Sequence, residues 1–157
     1  MGKDMTRYKL GVMAACLLLL SGAIWKLADT ASHALQLPYD DAQNVARGEI
    51  LYADYCASCH GANLQGANNW RQRDVDGRMP APPHDATGHS WHHPDAVLFR
   101  LTKLGSAAVV GQGYESSMPG FEGILSDQEI FDVLGYIKST WPEEIIEMHN
   151  GMNANAN

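Results

Sequence analysis

Two cysteines and a histidine stand close together in the first half of the chain: Cys56, Cys59 and His60, in the run CASCH. Thiols three residues apart lie on one side of a helical turn, so both can form thioether bonds with the two vinyl groups of a haem. The histidine that follows directly would lie under the ring with its imidazole towards the iron. C-x-x-C-H is the signature of covalent c-type haem attachment, and the sequence therefore predicts one haem c with His60 as an iron ligand.

Three other kinds of site can contain a C-x-x-C pair. A thioredoxin-like redox pair needs a strand before it and a helix after it, and the sequence around Cys56 has no such context. A plain disulfide between Cys56 and Cys59 is common only in redox enzymes. A zinc site needs a second pair of ligands. The candidates for that pair are the histidines His84, His89, His92 and His93. Haem attachment is favoured over all three.

The second axial position of a haem iron is usually filled by Met or His in electron carriers. Two Met-Pro pairs compete for it, at Met79 and at Met118. Met118 follows His60 by 58 residues, which gives the chain room to pass around the ring and present a sulfur from the other face. Met79 follows by only 19 residues, before the second predicted helix. The sequence therefore predicts Met118 as the second iron ligand.

The run GHSWHHPD offers polar partners for the two carboxylates of a haem, because buried carboxylates need hydrogen-bond donors or cations. In one interpretation His89 and Trp91 supply these donors together with Arg78 or Arg73. In the other, Trp91 only packs and the histidines cap the following helix. A copper or zinc site at the adjacent histidines is disfavoured, since no carboxylate or thiol partner is evident.

Three helices must position these groups, and no strand pattern interrupts them. The first is predicted over roughly 42–55 with Asp41 as N-cap. The second begins at Pro94 and ends at Gly105. A capping box in the run SDQE starts the third at about Asp127, and it continues to about 140. Three helices joined by long loops make a poor core by themselves, which suggests that a cofactor fills the centre.

The N-terminus has the layout of an export segment. Lys3, Arg7 and Lys9 precede sixteen uncharged residues over 10–25. We predict an uncleaved signal anchor, with a cleavable signal peptide ending at Ala34 as the alternative. Positive residues stay in the cytoplasm, so the remainder would face the opposite side of the membrane, which in a bacterium is the periplasm.

Composition divides the chain further. We predict three segments: a signal segment plus linker over residues 1–34, a folded domain over 35–147 and a flexible tail over 148–157. Small and polar residues of the linker type continue to about residue 40, inside the start of the folded domain. The whole chain has a formal charge of −7, and without residues 1–34 seven Lys and Arg stand against sixteen Asp and Glu, which gives −9. This acidity argues against nucleic acid as a partner and favours a partner with a basic docking face.

The run from Asn44 to Trp141 resembles the class I c-type cytochromes, specifically their small bacterial mono-haem group. The matching pieces are GEILYADYCASCHGANLQG, APPHDATGHSWHHPDAVLFRLTKLG, MPGF and LSDQEIFDVLGYIKSTWP. The resemblance implies an all-α, cytochrome c-like fold of three or four helices with long loops wrapped around one covalent haem, here preceded by the apolar N-terminal helix. It also implies that the first and last helices cross near Gly48 and Tyr136.

For function, the resemblance implies that Cys56 and Cys59 hold the haem, with His60 proximal and Met118 distal. It implies one-electron transfer by Fe(II)/Fe(III) cycling and no enzymatic conversion of a substrate. We therefore expect a mono-haem electron carrier on the periplasmic side of the inner membrane, working with redox partner proteins and contacting the membrane through residues 10–25. The alternatives are a cytochrome subunit of a larger dehydrogenase or oxidase complex and a haem-based ligand sensor.

Overall fold

The computed structural model of the protein describes residues 36–156. The signal segment and linker predicted for residues 1–34, including the membrane contact through residues 10–25, lie outside the described residues. Within 36–156, no helix is long and apolar enough to cross a membrane. From Leu37 onward the chain forms one compact unit.

This unit is all-α, as predicted. Its helices are α1 (Ala42–Tyr55), α2 (Ala57–His60), α3 (Asp95–Leu104), α4 (Ser106–Val110), α5 (Asp127–Ser139) and α6 (Glu143–Asn155). A 3-10 turn at Ser90–His92 precedes α3. Between residues 36 and 156 the only β-type pairing is an isolated bridge between Glu122 and Leu125. Long loops separate α2 from α3 and α4 from α5.

The caps that the sequence predicts set the helix ends. The Asp41 carboxylate accepts hydrogen bonds from the backbone N–H groups of Gln43 and Asn44, at 2.9 and 3.0 Å. Ser126 and Glu129 form the complete capping box at the start of α5. Helix α3 begins one residue later than predicted, because Pro94 is its N-cap and not its first residue. Such caps satisfy the backbone N–H groups that have no partner inside the helix.

Helices α1 and α5 cross in close contact at Gly48. A Cβ atom on Gly48 would lie 2.0 Å from the Asp132 carbonyl oxygen and 2.9 Å from the Tyr136 Cβ, so only glycine fits there. The crossing near Gly48 and Tyr136 is confirmed. An ion pair also joins the two helices near the crossing: Arg47 Nε of α1 donates to the buried Asp132 carboxylate of α5 at 2.8 Å.

The C-terminal segment corrects one prediction. Residues 148–155 do not form a flexible tail but continue helix α6, with His149 completely buried. His149 Nε2–H donates to the His93 carbonyl at 2.9 Å, and the Asn150 side chain accepts from Lys138 Nζ at 2.7 Å. The polar side chains that suggest a solvated tail are the groups that bond α6 to the rest of the fold.

The predicted linker also ends earlier than residue 40. Leu37 is buried in the core, and its backbone N–H donates to the Asp95 carboxylate at 3.1 Å. Pro38 packs against Gly135 of α5, and the Tyr39 ring lies 4.5 Å from Lys138 Nζ. These contacts place residues 37–39 in the folded unit, on the side that α6 covers.

Candidate haem site

A cavity of about 570 Å³ opens between the helices. It is lined by residues of every helix except α6, and by both long loops. Its inner wall is the apolar face of α5, with Val133, Leu134 and Ile137, all buried in the core. An apolar cavity of this size inside a small helical unit suits a large, flat and mostly apolar ligand.

The C-x-x-C-H motif lies at one wall of this cavity. Helix α1 ends at Tyr55, and the next turn carries Cys56, Cys59 and His60, all three of which line the cavity. Cys59 is exposed, whereas Cys56 is half-buried. Burial, together with the nearby Cys59, raises the pKa of Cys56 to about 11, so its sulfur is a thiol at neutral pH.

The His60 ring is held in one tautomer. Its Nδ1 lies 2.8 Å from the Pro82 carbonyl oxygen, and because a carbonyl can only accept, Nδ1 carries the proton and donates it. The other nitrogen, Nε2, then has a free lone pair. Burial lowers the pKa of His60, which keeps the ring in the neutral form that binds metals.

A second imidazole lies directly against His60. The rings of His60 and His84 are stacked, with centroids 3.9 Å apart and planes inclined by 22°. Ser90 Oγ is hydrogen-bonded to His84 Nδ1 at 2.9 Å. Burial and the neighbouring His60 lower the pKa of His84 well below its ordinary value. The sequence singles out His84 only as a zinc candidate, and no local pattern marks it as a neighbour of His60.

The structure places both candidate methionines, Met79 and Met118, on the cavity wall. Two hydrogen bonds hold Met118. The Ser106 hydroxyl donates to Met118 Sδ at 3.3 Å, and the Met118 backbone N–H donates to Ser116 Oγ at 3.1 Å. A thioether sulfur has two lone pairs, so one remains for a metal. The sequence analysis did not identify Ser106, whose role depends on the path of the loop.

The groups proposed for the haem carboxylates are only partly brought together. His89 lines the cavity, but Trp91 does not, because its ring stacks on His92 with centroids 3.7 Å apart. Arg73 donates to the Gly77 carbonyl and Arg78 forms a 3.5 Å ion pair with Glu115, whereas Arg78 Nε and the Trp91 indole N–H are buried without a hydrogen-bond partner. The imidazole that joins His89 at the cavity is that of His93, with ring centroids 5.7 Å apart.

The residues around the cavity fit a haem. Two thiols, a free imidazole nitrogen and a thioether sulfur all line one apolar space, which matches the donor set of a Met/His c-type haem. Across residues 36–156, no group of three or more His, Cys, Asp or Glu side chains is arranged to hold a bare metal ion.

Comparisons with known proteins show similarity to c-type cytochromes. The chain is 26% identical over 132 residues to "Cytochrome c6" from Synechocystis sp., which covers 84% of this chain and 87% of that protein. It is 28% identical over 94 residues to "Cbb3-type cytochrome c oxidase subunit FixP" from Azorhizobium caulinodans, covering 60% of this chain but only 28% of FixP. No solved structure matches the chain.

The family model for cytochrome c matches residues 45–141, from the first turn of α1 to the end of α5. The matched span contains both cysteines of the motif and most of the cavity wall. Since it is more than half of the sequence, the chain belongs to the cytochrome c family, a family of electron-carrying proteins, and its cofactor is a haem c attached through Cys56 and Cys59.

Proposed function

We propose that this chain is an exported mono-haem electron carrier in which His60 Nε2 and Met118 Sδ would hold the haem iron. The observation that carries the proposal is that both side chains line one cavity and that each is held by a hydrogen bond, His60 at Nδ1 and Met118 at Sδ. When bound, the haem supplies one-electron chemistry by cycling between Fe(II) and Fe(III). One C-x-x-C-H motif in the sequence supports one haem.

The chain's own residues tune that chemistry. The Pro82 carbonyl accepts a hydrogen bond from His60 Nδ1–H, which orients the ring and makes Nε2 a better electron-pair donor. A thioether ligand such as Met118 raises the reduction potential of a c-type haem. The apolar wall of α5 would exclude water from a bound haem, and His89 and His93, which also line the cavity, would donate hydrogen bonds to its carboxylates.

Replacing each methionine by alanine tests the choice of ligand. We expect Met118→Ala to abolish the sulfur-to-iron charge-transfer band of the oxidised protein, because it removes the thioether sulfur proposed as the iron ligand. Met79→Ala is the matched control, since Met79 lines the same cavity, and it should retain the band. Visible absorption spectra of the oxidised, haem-loaded proteins give the answer.

The reverse pattern would assign the iron to Met79. A wild-type protein with no such band, and with a spectrum that changes when carbon monoxide is added, would indicate an open position and favour a ligand sensor. Either result would contradict the proposed pair of ligands.

A second candidate is a cytochrome subunit fixed in an oxidase complex, which the similarity to FixP favours. A stable partner that co-purifies with the full chain would support it. The proposed export rests on the positive and then apolar N-terminus, and on the fact that c-type attachment takes place outside the cytoplasm. Fractionation of the expressing cells tests that location.

A further inference from the structure

His84, whose ring lies against the face of the His60 imidazole, has no role in the proposed function. We infer that His84 is a positioning residue for the axial ligand: its ring, stacked on that of His60, fixes the plane in which the His60 imidazole meets the iron. The inference rests on the proposed role of His60 as an iron ligand. The observation behind it is the stacked pair, with centroids 3.9 Å apart and an interplanar angle of 22°.

One hydrogen bond does not define the orientation of a ring. The bond from His60 Nδ1 to the Pro82 carbonyl fixes one ring atom, but the ring can still tilt about that point. A flat surface against the ring face removes this freedom, because tilting would press one edge of the ring into it. The His84 imidazole is such a surface. The two contacts together restrict both the position and the plane of the ligand ring.

His84 can do this because it is itself held on several sides. Its backbone N–H donates to the Leu64 carbonyl at 2.8 Å, and its carbonyl accepts the Trp141 indole N–H at 2.8 Å. Its ring is hydrogen-bonded to Ser90 Oγ, and the Tyr52 ring stands nearly edge-on to it, with centroids 6.1 Å apart. A ring anchored in this way does not move aside when His60 presses on it.

A different explanation is that His84 only fills space. The two explanations differ in what they require: filling needs volume, whereas positioning needs a flat face. The plane of an axial imidazole sets the in-plane magnetic anisotropy of a low-spin ferric haem. It is therefore visible in the rhombic splitting of the electron paramagnetic resonance signal and in the spread of the haem methyl proton shifts.

The test uses the full, haem-loaded, oxidised protein with His84→Phe and His84→Leu. We expect His84→Phe to keep the wild-type rhombic splitting and methyl shift pattern, because it restores a flat face. We expect His84→Leu to change both, because it restores volume alone. The control is His92→Leu, which removes an exposed histidine that is absent from the cavity wall and should change neither.

If His84→Leu leaves both signals at their wild-type values, or if Phe and Leu change them equally, the inference is overturned. If neither variant binds haem, the wild-type protein decides: His84 ring protons shifted by the iron and in Overhauser contact with His60 support the stack, and unshifted ones refute it. The role of His60 is read separately from hyperfine-shifted resonances of its own ¹⁵N-labelled ring. Their absence would refute the proposed function, and their presence with an unchanged His84→Leu spectrum would refute only the inference.

Discussion

Buried histidines are the residues through which pH acts on this fold. Burial lowers the pKa of His149 in α6. Its ring donates to the His93 carbonyl and lies near the charged side chains of Asp95 and Lys138. The folded protein therefore resists protonating His149, while the unfolded chain takes up that proton below about pH 6.5. Protons bound on unfolding favour the unfolded state, so stability must fall as the pH falls.

We predict that the free energy of unfolding decreases as the pH is lowered from 7.5 to 5.5, and that His149→Gln reduces this decrease. Each proton taken up on unfolding contributes at most about 1.4 kcal/mol per pH unit. Glutamine keeps a donor for the His93 carbonyl but cannot be protonated. Urea unfolding of the haem-loaded protein at the two pH values measures the difference. His92→Gln, an exposed substitution, is the control, and an equal pH dependence in His149→Gln and wild type would contradict the prediction.

At the scale of the elements, the crossing of α1 and α5 leaves no room for a side chain. We predict that Gly48→Ala destabilises the protein by about 1–3 kcal/mol, the usual cost of overpacking, because the new methyl group would press against the Asp132 backbone. Gly151→Ala in α6 is the matched control: it meets nothing within 4 Å and should be neutral or slightly stabilising, since alanine favours helix. Thermal unfolding of both variants measures this. Equal melting temperatures would mean that the helices can separate at the crossing.

The elements that sequence patterns predicted are those whose signals are local. Helices α1 and α5 were predicted to within a residue because Asp41 and Ser126 cap their own helices. Helix α6 was missed because what holds it is distant in the chain: His149 bonds to His93, and Asn150 to Tyr39. A short polar segment gives no sign that its partners lie 56 and 111 residues away.

In the candidate site, too, the residues with local sequence signals were predicted and those placed by distant contacts were not. The motif at Cys56, Cys59 and His60 is local and was found in full, and the structure places all three on the cavity. Met118 was predicted from chain length; because Met118 and Met79 both line the cavity, the choice between them stays a prediction. His84 and Ser106 could not be predicted, because a stacked ring and a hydroxyl aimed at a sulfur are products of the loop paths.

At the scale of the whole molecule, charge decides how the carrier meets its partners. Residues 35–157 have a net charge of −9, and one of the acidic residues, Asp74, lines the cavity. Electrostatic steering speeds the encounter with an oppositely charged partner, and salt weakens it because the Debye length is about 8 Å at physiological ionic strength. Electrostatic steering sets how fast a freely diffusing protein meets its partners, whereas a subunit fixed in a complex does not depend on it.

We predict that the reduced protein transfers its electron to a cationic acceptor, tris(phenanthroline)cobalt(III), more slowly as ionic strength rises. With the anionic hexacyanoferrate(III), the rate should rise instead, because salt screens a repulsion. Stopped-flow absorbance of the haem measures both rates. Asp74→Asn, which removes an acidic charge from the cavity wall, should weaken both trends, while Glu144→Gln on α6, which contributes nothing to that wall, should weaken them less. Rates with both acceptors that do not change with salt would show that the acidity lies away from the haem edge, and a basic docking partner would then lose its support.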